Sequence, residues 1–346
     1  MATEFGGSVE KLWGSFTKGG NENSLRVFYQ MAQHLQPLLL GLDKDTPIIT
    51  THCFVGLIAV ALGFKHVINL VIDNHAQWFI VVPGAHNLVQ GPSNYHSLLR
   101  MGVPPSQLQL AGHWIPKDLV DNIEADTATR IARATAQAPL RILIPVGGAG
   151  AQKTFVTNFI RALKAHVEAG KVQLFLNAGD HEHMRLAFTS ALADMGVPVT
   201  PAMTVDTMEG VHAFADNLRA GKEPPTPITL FAFPVYFPAV ATTDVLSRVA
   251  DVLACKPSEL AFYPVPKLMI RRVGDHEEYS ARRASEVGDG TLELREVPDA
   301  MAYVDKMCTS PDLLVTMNQA IQTNKKIGVY DGCKKAVELA QELSAK

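Results

Sequence analysis

The sequence carries no excess of positive charge: 31 Lys and Arg stand against 34 Asp and Glu, a formal net charge of -3 with histidine neutral. Without a positive field, little attracts a nucleic-acid backbone, and that class of partner is set aside. Paired thiols are missing too. Cys53, Cys255, Cys308 and Cys333 form neither a CxxC pair nor a zinc spacing, which fits reduced thiols in a cytosolic protein. Charges or prolines interrupt every apolar stretch well short of the ~20 residues that span a bilayer. No lysine-rich start leads into an apolar run as in a signal peptide. Peripheral membrane contact through an amphipathic patch stays open. Low-complexity segments and solenoid periods are also absent.

What is present is the make-up of a folded α/β chain, 346 residues with 47% hydrophobic and 19% charged side chains. That length exceeds the ~250 residues at which single cores usually split, so two domains are expected. Helical spacing runs over 25–40. Short apolar strands follow at 47–51, 66–72 and 79–82, separated by helical segments at 54–62 and 95–101, a parallel-sheet rhythm. A charged helix is expected over 116–136. At 140–146 a fresh strand begins, followed by a glycine turn and a helix over 153–169, and this renewal sets a boundary at 137. The second half repeats the rhythm with strands at 172–177, 226–233 and 267–270, helices at 182–195 and 242–251, and a last helix at 334–343.

Three polar turns follow strands of the second half, and in a parallel sheet such strand ends share one rim. Gly147-Gly148-Ala149-Gly150 is small enough for backbone N–H groups and a helix start to approach an anion, although it matches neither GxGxxG nor the P-loop. Equally, it can be no more than a tight turn. Ser258 and Glu259 present a hydroxyl and a carboxylate that could accept ribose hydroxyls, or merely cap a helix. Asp275, His276 and Glu277 can bind sugar hydroxyls, while Arg271 or Arg272 can neutralise phosphate. In the first half, Asp73 and His75 end a strong apolar strand and His52 ends an earlier one. An acid beside an imidazole can take a proton from an acceptor hydroxyl. Asp180, His181 and His183 suggest a metal at first sight, but two helical positions two apart face different ways, and no metal site is expected.

The segments 71–79 (VIDNHAQWF), 91–93 (GPS), 111–116 (AGHWIP), 144–150 (IPVGGAG), 250–259 (ADVLACKPSE) and 273–281 (VGDHEEYSA) occur in a telling order. In that order the chain resembles glycosyltransferases of the two-domain GT-B architecture, in the branch of monogalactosyldiacylglycerol synthases and processive diacylglycerol glucosyltransferases. The resemblance covers roughly residues 45–300. It departs from the family in three places: Met1 to Leu40 lacks the opening strand and glycine-histidine turn, Ser258 replaces a glycine, and Asp275-His276 replaces Gly-Gln.

The resemblance implies an α/β fold of two Rossmann-like parallel-sheet domains facing a cleft, the first of them shortened. Residues 1–136 would form the acceptor-side domain, 137–330 the nucleotide-sugar domain and 331–346 a C-terminal helix. Gly147, Gly148, Ala149 and Gly150 would hold the diphosphate, Glu259 with Ser258 the ribose, and Asp275, His276 and Glu277 the donor sugar, with Arg272 at the phosphates. Asp73, His75 and His52 would face the acceptor. The expected activity is hexosyl transfer from a nucleotide diphosphate sugar, UDP-sugar favoured, to an acceptor hydroxyl, inverting, without metal or other cofactor. The acceptor is left open, a lipid among the candidates, as is the oligomeric state. Two other readings are a nucleotide-sugar epimerase or hydrolase and a non-catalytic nucleotide-binding protein.

Overall fold

The computed structural model describes residues 24–146 and 152–345; Gly147, Gly148, Ala149 and Gly150 lie outside the described residues. Two parallel sheets carry the chain. The first contains β1 (Ile48–Thr50), β2 (Val67–Leu70), β3 (His86–Val89) and β4 (Leu108–Leu110), in sequence order from edge to edge. The second contains β5 (Leu140–Pro145), β6 (Val172–Asn177), β7 (Thr204–Val205), β8 (Ile228–Phe231), β9 (Val252–Cys255) and β10 (Lys267–Met269), in the order β10-β9-β5-β6-β8-β7. Every pairing is parallel. Helices cover both faces of the second sheet, which is why β5, β6, β8 and β9 are buried at every residue. The order reverses between β5 and β9, so a crevice opens at their carboxyl ends. Among the described residues the first sheet has no such reversal.

Two sequence expectations change. The segment 79–82 is not a strand; Trp78–Ile80 is a turn of 3-10 helix. Two buried amides claim its backbone: Asn69 Nδ2 donates to the Ile80 carbonyl at 2.9 Å, and Asn87 bonds both the N–H and the carbonyl of Val82. Those groups are then unavailable to a strand ladder. The third strand is instead β3, whose polar His86-Asn87 start disguises it. Second, the helices Lys117–Asp121 and Ile123–Thr135 precede the boundary at 137 but pack on the second sheet. Leu119 and Ile123 join its core, and Arg130, buried, donates to the carbonyls of Ser247, Ala250 and Pro264. By packing, this helix pair goes with the second sheet.

The two sheets are joined by two chain crossings that lie side by side. His113 N–H donates to the Val329 carbonyl at 2.6 Å. Gly112 has φ +106°, and a Cβ there would sit 2.5 Å from that same carbonyl oxygen; at Gly332 a Cβ would meet the His113 carbonyl oxygen at 2.5 Å. Only glycine permits this approach. Past the crossing, the helix Gly332–Ser344 returns to the first sheet, setting Ala336 and Leu343 against Ile68, Leu70 and Leu88.

Beneath the crossing lies a buried polar network. Lys267 and Asp289, both with fully buried side chains, form an ion pair at 2.7 Å, and Tyr330 donates to Asp289 at 3.0 Å. Lys267 also donates to the carbonyls of Tyr263 and Val265. Arg283 Nε donates to His113 Nε2 at 3.2 Å, which leaves Nδ1 of a neutral ring to donate to the Phe262 carbonyl. Burial, with Arg283 and Lys267 nearby, holds the imidazole well below its ordinary value.

Removing one member of a buried ion pair strands the other charge, typically at about 3–5 kcal/mol. Asp289→Ala should therefore lose stability on that scale in denaturant melts, with Lys267→Met/Asp289→Leu recovering much of it. His113 makes a separate forecast. Because its folded value is depressed, its contribution is complete above the unfolded value of about 6.5 and drains as pH falls below it. Melting temperature should drop across that window, and His113→Gln should flatten the slope.

Candidate functional site

The loop after β2 is held from three sides. Trp114 Nε1 donates to the Val71 carbonyl at 3.0 Å, Gln90 Nε2 to the Ile72 carbonyl at 2.7 Å, and Asn94 Nδ2 to the Asp73 carbonyl at 2.6 Å. These contacts fix three successive carbonyls, so Asp73 is delivered to the cleft on a braced backbone.

Opposite it stand the strand ends beside the switch point. After β9 come Lys256, Ser258 and a short 3-10 helix, Glu259–Phe262. Ser258 stands at the N-cap but makes no side-chain cap bond, Glu259 lies in the first turn, and Glu259 is exposed. After β10 the 3-10 turn Asp275–Glu277 leads into the helix Glu278–Glu286. Glu277 is buried and fully engaged: it accepts from the backbone N–H of Val273 at 2.7 Å and Gly274 at 3.3 Å, and pairs with Lys256. It stitches the two rim loops together. Arg272 is likewise occupied, paired with Asp275, Glu278 and Glu293 at 2.7–3.0 Å. That saturation leaves little of its charge for a phosphate.

Asp73 meets this rim electrostatically. Burial raises its carboxyl above the ordinary value, and the carboxylates of Glu259 and Glu277 push in the same direction, while His276 and Lys256 oppose them. His276 lays its ring on Gly274, where a Cβ would lie 2.6 Å from the imidazole, and its buried Nδ1 has no hydrogen-bond partner.

The expected residues thus divide. Asp73, Glu259, His276 and Glu277 converge on one cleft, with Ser258 and Asp275 on the same loops. His75 stacks on Tyr279 instead, ring centroids 4.6 Å apart. His52 caps the helix Cys53–Ala61 by accepting from Phe54 N–H at 3.2 Å and lies among Phe54 and Phe79. His181 precedes the helix Glu182–Asp194 rather than lying on it. Among the described residues no group of three or more His, Cys, Asp or Glu is placed to hold a metal ion, and no helix is long and apolar enough to cross a membrane. Lys256 and the bracing trio of Gln90, Asn94 and Trp114 carry no pattern in the sequence that marks them, since each acts on a segment distant along the chain.

A family model described as Domain of unknown function (DUF6938) matches residues 103–341. The chain belongs to that family. A second model, described as Domain of unknown function (DUF6937), matches residues 13–100. No curated protein matches the chain. Among solved structures, UDP-GlcNAc 2-epimerase from Neisseria meningitidis bound to UDP-GlcNAc is similar at TM-score 0.53 and 11% identity, covering 94% of this chain and 83% of that one. The S. aureus MnaA–UDP structure matches at 0.53 and 10%, covering 89% and 82%. The α,α-trehalose 6-phosphate synthase of Burkholderia multivorans matches at 0.50 and 12%, covering 99% and 83%. At these identities the likeness shows the fold: two Rossmann-like parallel-sheet domains forming a cleft, as in the GT-B architecture.

The raised carboxyl of Asp73 has a consequence for stability. A folded-state value above the unfolded one means that its contribution is complete below about pH 3.9 and is lost as pH rises through the elevated value. Asp73→Asn should accordingly be at least as stable as wild type at pH 7 in denaturant melts. A clear loss of stability there would show that Asp73 is held by favourable partners rather than strained by burial.

Proposed function

We propose that the cleft binds a nucleotide diphosphate sugar and transfers its hexosyl group to an acceptor hydroxyl. The observation that carries this reading is the meeting of Asp73, on a braced loop of the first sheet, with Glu259 and His276 at the switch-point rim of the second. In this assignment Glu259 accepts the ribose hydroxyls, while the glycine turn at 147–150, placed by sequence alone, cradles the diphosphate. His276 stands near the sugar with an unpartnered ring nitrogen. Asp73 takes the acceptor proton as the new bond forms, and burial raises its carboxyl, which makes the carboxylate a stronger base. Attack from the first-domain side, opposite the leaving diphosphate, gives inversion. His75, stacked on Tyr279, positions the loop rather than moving the proton. The finer likeness to diacylglycerol glycosyltransferases rests on motif order alone.

A second reading uses the same cleft for donor-only chemistry, epimerisation of the nucleotide sugar. It is favoured by a second ionisable group, His276, facing Asp73, and by a fold shared with a protein described as a UDP-GlcNAc 2-epimerase. NMR of the donor incubated alone separates the two, because epimerisation changes the donor without an acceptor whereas transfer leaves only slow hydrolysis.

Calorimetric titration of UDP and GDP tests the shared core of both readings. Glu259→Ala should weaken nucleotide binding by about 10 to 150-fold through loss of charge-assisted hydrogen bonds. Asp73→Asn should leave nucleotide affinity within about twofold and lower turnover by roughly 10²–10⁴. In wild type, kcat/KM should rise with pH through the elevated carboxyl value, a limb that Asp73→Asn removes. Failure of wild type to bind any nucleotide would sink the assignment.

A further inference from the structure

Beside Asp73 the two domains meet through a pair of helices that do not pack as helices usually do. The helix Pro92–Arg100 of the first domain offers Ser93, Ser97 and Arg100, spaced four and three apart on one face. The helix Glu278–Glu286 answers with Tyr279, Arg282, Arg283 and Glu286, again a single face at helical spacing. Apolar faces would close such a contact. These polar ones leave a pocket of about 310 Å³ between the domains.

Its walls hold two buried amides with unmet demands. Asn74, 7% exposed, has no partner for Nδ2; Asn94, 2% exposed, spends its Nδ2 on the Asp73 carbonyl and has none for Oδ1. Buried amide groups are seldom left unpaired without a functional reason. One orphan donor and one orphan acceptor, on two residues that line the pocket, have the complement of a hydroxyl, which can accept from the first and donate to the second.

Charge supplies the rest of the complement. Three arginines line the pocket against one carboxylate. That carboxylate, Glu286, is already occupied by Ser93 Oγ at 2.7 Å and by Arg283 at 3.5 Å. Arg283 is committed to His113 and to the Gln90 carbonyl. Arg282 pairs with Glu278 on the helix surface, and Arg100 is exposed at the pocket mouth. Guanidinium groups at such a site favour a phosphate.

We infer that this pocket seats a polyol phosphomonoester, its phosphate on Arg100 and Arg282 and a hydroxyl between Asn74 and Asn94. Asn74 is the chain neighbour of Asp73, and on that ground the occupant is assigned as the acceptor. That last step rests on the transferase reading; binding of the phosphomonoester does not.

Calorimetry on the full chain, with glycerol 3-phosphate and inorganic phosphate as probes, tests the site. Glycerol 3-phosphate should bind more tightly than inorganic phosphate. Arg100→Ala and Arg282→Ala, both changes to exposed side chains, should each weaken it about tenfold while leaving UDP affinity unchanged. Asn74→Ala should abolish the preference for the polyol ester, and Glu259→Ala should weaken UDP binding but keep glycerol 3-phosphate. Binding of neither probe at millimolar concentration overturns the proposal. So does displacement of glycerol 3-phosphate by saturating UDP, which would make the pocket part of the donor site. Phosphate binding without nucleotide binding keeps the pocket and removes the acceptor assignment.

Discussion

The Lys267–Asp289 ion pair sits where β10 meets the returning chain, and the cleft geometry depends on it. Lys267 gathers the carbonyls of Tyr263 and Val265, Asp289 accepts from Tyr330, and Tyr330 directly precedes the crossing to the last helix. Two fully buried charges exact a desolvation cost that only close pairing and added hydrogen bonds offset. Once satisfied, they leave little freedom to the segments that carry them. The same region includes Gly112 and Gly332, whose backbones approach too closely for any side chain. Relative placement of the sheets is thus tied to a buried polar network.

That placement gives the cleft its chemistry. Neither half alone sets a raised carboxyl opposite an imidazole. Asp73 is desolvated and repelled by Glu259 and Glu277 only because the first sheet's β2 loop faces the second sheet's switch point. Polar residues at the rim also differ in what they have left to give. Glu277 and Arg272 spend their charges inside the protein, on the backbone of the turn and on neighbouring carboxylates, and so build the rim. Glu259 is exposed at its surface, and His276 keeps a buried ring nitrogen without a hydrogen-bond partner.

Much of the second sheet is legible in the sequence because its strands are buried on both faces. Runs such as 140–145 and 172–177 read as mostly apolar segments between turn residues. The first sheet is harder. β3 begins with His86 and Asn87, and the more apolar 79–82 draws the strand assignment, although two buried amides take its backbone hydrogen bonds. Similar reasons hide the packing of the helix Ile123–Thr135. Its charges mark it only as a charged helix, whereas Arg130 is a buried side chain donating to three carbonyls more than a hundred residues away.

By itself the sequence determined the α/β class, the parallel strands, and the cluster of acid, imidazole and arginine residues at strand ends, since periodicity and turn composition are local properties of the chain. Only the tertiary structure decided which of those residues meet. It brought Asp73 within the field of His276, set His75 against Tyr279, turned His52 into a helix cap, consumed Arg272 and Glu277 in internal contacts, and opened a polar pocket around Asn74 and Asn94. The physical reason is that a side chain's role follows from the partners that compete for its charge and hydrogen bonds. Here those partners come from segments up to two hundred residues apart, brought together only when the two sheets are locked face to face.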